Sequence, residues 1–170
     1  MRALRTAMGM ALTVMLLTGC GHHDNPETTN TSIAKQEALV SPSNPNDAVA
    51  WRAFLSKAIL VETHDPNLHP YAFVVPAGDS ADAMQQRGGE TMAIRGMLGH
   101  TVLPGNMLAF TGSDSNKVVE VIDEAFRTLP AHSMQGLTIL YVGEPAAAMK
   151  VQAAVKAAGA ELRVRAIQAP

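Results

Sequence analysis

Asp79 and Ser80, Asp114 and Ser115, and Glu144 are polar residues that each follow an apolar run and precede a helix-like stretch. Carboxylates and hydroxyls gathered in one place could orient a polar ligand or support hydrolysis. The same positions are where a helix needs acceptors for its free N–H groups, so capping accounts for them without a ligand. Asp79 with Asp82 fits a capping box with Asp in place of Glu. The sequence leaves both readings open. Gly112-Ser113-Asp114-Ser115 lacks the second glycine and the lysine of a phosphate loop, and no G-x-S-x-G elbow occurs. Lys117 follows Ser113 by four residues, which makes a hydroxyl–amine pair conceivable, although a lysine in the first turns of a surface helix is ordinarily solvated. Ser32 and Lys35 match S-x-x-K but lie in a polar segment with nothing to preorganise them, so the match is read as chance. His64 and His69 bracket the one local cluster of His and carboxylate; the spacing fits no established metal site and a third ligand is missing. His100 and His132 stand alone, and no metal or cofactor is expected.

The elements that would position these residues share one syntax of apolar strand, glycine-containing turn and helix. Tyr71–Val75 leads through Pro76-Ala77-Gly78-Asp79-Ser80 into a helix from Ala81. Met107–Phe110 leads through Thr111–Ser115 into a helix with Val118, Ile122, Ala125, Phe126 and Leu129 on one face. Leu137–Val142 leads through Gly143-Glu144-Pro145 into a helix striped by Ala148, Val151, Val155 and Ala158. Near-continuous apolar strands, each followed by a helix, predict an α/β domain with a mostly parallel sheet, and the five polar residues then share the C-terminal edge of the strands, where open sheets bind ligands. Asn46 or Asp47 is placed to cap a first helix carrying Trp51, Phe54, Leu55, Ala58 and Ile59, with Trp51 as a core anchor. Gly88-Gly89 should break or kink the helical stretch between 81 and 103. Gly159 ends the last helix, and Leu162, Val164 and Ala166 alternate with Glu161, Arg163 and Arg165 in a final edge strand with one wet face.

The 170 residues carry 13 Lys and Arg against 15 Asp and Glu, with no basic cluster, which disfavours nucleic acid as a partner. There is one cysteine, so no internal disulfide is available and stability must come from a packed core. Of the ten methionines, the six outside the N-terminal region fall on apolar faces and read as core fillers. Residues 20–46, rich in Asn, Thr, Ser and Pro and including His22-His23, read as a flexible tether spanning about 25 to 30 Å on average. Residues 47–170 read as one α/β globular domain.

The single cysteine ends a distinctive N-terminal pattern. Arg2 and Arg5 precede the apolar run Ala7–Leu17, which is too short to span a bilayer and has the form of an export signal. Leu17-Thr18-Gly19-Cys20 resembles the lipobox of bacterial lipoproteins. The resemblance implies cleavage between Gly19 and Cys20, diacylation of the Cys20 thiol and N-acylation of the new terminus. Several acyl chains anchor a protein stably where one does not. Gly21 stands where an Asp would favour inner-membrane retention, so the resemblance points to the outer membrane, with the domain in the periplasm or at the cell surface. Cleavage would leave eleven basic and fifteen acidic side chains, a formal charge of −4.

These features lead to an expected non-enzymatic envelope lipoprotein whose domain binds another envelope protein, as secretion-system accessory subunits and periplasmic inhibitors do. The alternatives are a small-ligand binder or hydrolase acting at the strand edge with Asp79, Ser80, Asp114 and Ser115, and a peptidoglycan-associated lipoprotein. The last lacks the Asp/Arg pair of the OmpA-like family.

Overall fold

The computed structural model describes residues 39–63, 67–100, 104–168 and 170. The elements are β1 (Leu39–Val40), α1 (Ala48–Glu62), β2 (His69–Val74), α2 (Ala81–His100), β3 (Asn106–Thr111), α3 (Ser115–Phe126), β4 (Thr138–Gly143), α4 (Pro145–Ala158) and β5 (Glu161–Gln168). The strands pair in parallel in the order β1-β5-β4-β3-β2, so the protein has the α/β architecture that its strand–helix alternation predicts.

Strand order explains the distribution of helices. From β2 to β5 each strand is laid beside the last in a constant direction, and α2, α3 and α4 cover one face of the sheet. The passage from β1 to β2 runs the opposite way, so a crossover of the same hand places α1 on the other face. Leu108, Phe110, Ile139 and Tyr141 pack with Ile94, Ile122 and Val151 on the three-helix side. Met107, Ala109, Leu140 and Val142 pack with Trp51, Phe54, Leu55 and Ala58 on the α1 side. Both central strands, β3 and β4, are buried at every position, which is why they read as continuous apolar runs rather than as alternations.

Local chemistry sets the element boundaries. Asp47 caps α1 by accepting from the backbone N–H groups of Val49 (3.1 Å) and Ala50 (3.0 Å). Gly159 closes α4 in the left-handed conformation at φ 82°, donating to Lys156 O and Val155 O. In β2, His69 N donates to Gly105 O and Val75 N to Thr111 O, so the intervening Pro70, Ala72 and Val74 turn their backbone groups away from β3. Pro70 and Pro76, two residues beyond either side of Ala72 and Val74, supply no N–H, a device that blunts an open sheet edge.

Three expectations are corrected. Gly88-Gly89 neither breaks nor splits α2, which runs unbroken for 20 residues. The buried stripe Ala83, Arg87, Thr91, Ile94 and Leu98 packs along its length, and that tertiary burial outweighs the helix penalty of the glycines. The final strand does not divide into a wet charged face and a dry apolar one: Glu161 is exposed, but Arg165 on the same side is 4% exposed and meets Glu62 of α1 at 2.7 Å, while Val164 on the opposite face is 39% exposed. β5 is also not the outermost strand, because β1 pairs with its last two residues. Leu39 and Val40, assigned to the tether by their polar surroundings, form that strand, with Leu39 packed beside the α1 cluster. Residues 20–38, including Cys20, and His64 lie outside the described residues.

Candidate functional site at the strand C-terminal edge

The parallel sheet brings the loops following β2, β3 and β4 to one edge, and Asp79, Ser80, Asp114, Ser115 and Glu144 all lie there. Their tasks differ. Asp114 caps α3, accepting from Asn116 N (2.9 Å) and Lys117 N (3.4 Å). Ser80 caps α2, its Oγ accepting from Ala83 N at 3.2 Å, so the capping residue is Ser80 and not Asp79. Ser115 is buried and its Oγ accepts from Glu144 N at 3.3 Å, tying the β4–α4 turn to α3. Glu144 occupies the cap position of α4 without a side-chain capping bond, ahead of Pro145.

Asp79 belongs to an ion-pair chain that ties the β2–α2 loop to α2 and α3. Its Oδ1 lies 2.8 Å from Lys117 Nζ and 3.6 Å from Arg87 Nη2. The hydrogen bond from Lys117 holds the Asp79 carboxyl below its ordinary range, and the same contact holds the Lys117 ammonium above its own. Arg87 is buried and donates to Pro76 O (2.9 Å) and Gly78 O (2.7 Å), clamping the β2–α2 loop. Lys117 also meets Glu120 at 3.4 Å, and Ser113 Oγ donates to Pro45 O at 3.0 Å. The Ser113–Lys117 hydroxyl–amine pair conceivable from spacing is therefore not formed. Tight approach completes this edge: a Cβ on Gly112 would come within 2.6 Å of Val75 O, and one on Gly143 would strike the Tyr141 ring.

Two clefts flank the Ser113–Pro45 contact. The smaller, about 260 Å³, lies where the loop after β1 meets the end of β5 and is lined by Ser41, Ile167 and Glu144. It occupies the place where helices leave to opposite faces of the sheet, the usual ligand position of this architecture. The other, about 330 Å³, lies beside the open edge of β2 between α1 and α2. Trp51, Pro45, Val74 and Pro76 give it apolar surface, and Arg52, Ser80, Asp82 and Glu90 give it polar surface. Of the five residues singled out in sequence, Ser80 lines this cleft and Glu144 the smaller one.

Glu90 is the residue that pattern reading missed. Burial on α2 pushes its carboxyl up to about 7, and its Oε2 is buried without a hydrogen-bond partner. The position beside Gly88-Gly89 in a polar stretch carries no sequence signal of desolvation, because that desolvation arises only in the folded chain, where Glu90 lines the cleft together with residues distant in sequence. Of the metal candidates, His69 is an exposed residue at the start of β2, and no group of three or more His, Cys, Asp or Glu suited to a metal occurs among the described residues.

Fold and site together define an all-parallel α/β domain with polar clefts at the C-terminal edge of its sheet. Comparison with family models, with curated proteins and with solved structures gives no match.

Proposed function

We propose that the chain is a lipid-anchored lipoprotein of the bacterial envelope whose α/β domain is a recognition module for another envelope protein rather than a catalyst. A secretion-machine accessory subunit or a periplasmic inhibitor has this character. The anchor rests on the lipobox resemblance at Leu17–Cys20 and the preceding short apolar run. No helix among the described residues is long and apolar enough to cross a membrane, and the proposed tether is the Cys20 lipid.

The observation that carries the recognition reading is the outer face of α2. Gly88, Gly89, Gly96 and Gly99 are all exposed there, and a Cβ added to any of them would meet no heavy atom within 4 Å. Each glycine costs a helix roughly 0.5 to 1 kcal/mol relative to alanine, and the domain's own packing gives no return for it. Met84 and Met92 are exposed on the same helix at 52% and 69%. Adaptable methionines beside glycines that allow close backbone approach suit a surface on which a partner helix packs.

Labelled palmitate is expected to enter the wild-type chain, and Cys20→Ser is expected to abolish labelling and move the protein to the soluble fraction. A photo-crosslinker at Met92 is expected to form an adduct with one envelope protein that Gly88→Leu with Gly89→Leu eliminates. Fractionation unchanged by Cys20→Ser overturns the anchor, and an adduct indifferent to the leucines overturns the α2 surface. A second reading, small-ligand binding, is favoured by the cleft that Glu90 lines.

A further inference from the structure

The cleft between α1 and α2 is lined by two oppositely charged side chains without partners among the described residues. Glu90 comes from α2, with Oε2 buried and unbonded. Arg52 comes from α1, is exposed to solvent, and its guanidinium forms no hydrogen bond or ion pair with Glu90 or any other of the described residues. Asp82, exposed near the start of α2, is the remaining charged group among the described residues lining the cleft and has no ion-pair partner among them. A desolvated carboxylate without a cation is costly in a folded protein, and a ligand ammonium would relieve that cost. The planar fork of an arginine on the opposite side suits a carboxylate.

We propose that this cleft binds a small zwitterion of the free amino acid or short peptide type, its ammonium group paired with Glu90 and its carboxylate with Arg52. Trp51, Pro45 and Val74 offer apolar surface to small aliphatic side chains. The volume of about 330 Å³ lies at the small end of the roughly 300 to 1,000 Å³ range of ligand clefts. Val74 adds backbone groups that face away from β3, which an extended ligand backbone could meet. Glu90 must be ionised to hold an ammonium, so binding releases protons near neutrality and weakens as pH falls below about 7. The carboxylate of Asp82 lines the same cleft and favours the same cationic group as Glu90. This inference rests on the ligand-binding reading above.

Trp51 is the only tryptophan and lines the cleft, so its fluorescence reports occupancy. The full chain in detergent is titrated at pH 8 with alanylvaline, N-acetyl-alanylvaline and alanylvaline amide. Saturable binding of alanylvaline is expected, weakened roughly tenfold or more by acetylation of the ammonium or by Glu90→Gln. Acetylation should add nothing further in Glu90→Gln, and amidation nothing further in Arg52→Ala. Glu90→Gln keeps the side-chain shape and removes a desolvated charge, so it leaves the fold in place. Equal binding of all three peptides, or an affinity unchanged by Glu90→Gln, overturns the zwitterion assignment while the ligand cleft stands. No response to any of the three overturns both.

Discussion

Two carboxylates show how the same residue type takes different roles from its surroundings. Glu62 meets Arg165 at 2.7 Å with both side chains withdrawn from solvent, and its backbone carbonyl accepts from Arg163 Nη1 at 3.4 Å. Arg165 Nε finds no acceptor, so the guanidinium depends on the Glu62 charge. Glu62→Ala would strand a buried cation and is expected to cost about 3 to 5 kcal/mol in denaturant unfolding; a loss under about 1 kcal/mol would show that the pair carries no such dependence. Glu90 behaves in the opposite sense. Its folded value of about 7 lies above the ordinary 4.5, so the folded protein holds an extra proton between those values. Its contribution is therefore most favourable below about pH 4.5 and is lost as pH rises through 7. Glu90→Gln is expected to raise the melting temperature more at pH 8 than at pH 5. A gain independent of pH would place the cause elsewhere.

At the scale of elements, α2 departs furthest from what its composition suggests. Its exposed glycines lie in open space, so Gly88→Ala with Gly89→Ala is expected to stabilise the isolated protein by about 1 to 2 kcal/mol in thermal or chemical unfolding. Destabilisation would mean that the helix needs their freedom. The opposite holds at Gly112, where a Cβ would press against Val75 O and Val118 Cγ2. Gly112→Ala is expected to cost about 1 to 3 kcal/mol, because backbone cannot yield as a flexible side chain can. Glycines alike in sequence thus differ in sign of effect, and the deciding variable is what stands opposite the missing Cβ.

For the molecule as a whole, the long crossover from β1 to β2 makes the N-terminal side of the domain depend on the far end of the chain. Leu39 pairs with Ile167, Ser41 N and Oγ both donate to Gln168 O, and Trp51 Nε1 donates to Asn44 O. A chain beginning at Asp47 loses all of these contacts. Relative to one beginning at Gly21, it is expected to lose about 1 to 3 kcal/mol and to show a Trp51 emission shifted toward that of a solvated indole. Equal stability and identical emission would return the boundary to residue 47.

Periodicity and cap chemistry were enough to read the strand–helix alternation, the parallel sheet, the apolar face of α1 and the Gly159 stop, and to narrow the first cap to Asn46 or Asp47, because these depend on residues a few positions apart; the structure chose Asp47. The proposed N-terminal export signal rests likewise on neighbouring residues, and it lies outside the described residues. What required tertiary structure joins residues far apart in sequence. Leu39 finds Ile167, Glu62 finds Arg165, Asp79 finds Lys117, and Glu90 is desolvated in a cleft that residues of α1 also line. A carboxylate's role as cap, ion pair or stranded acid depends on the dielectric and the charges around it. Those are set by which distant element packs over it, and no local pattern in the chain encodes that.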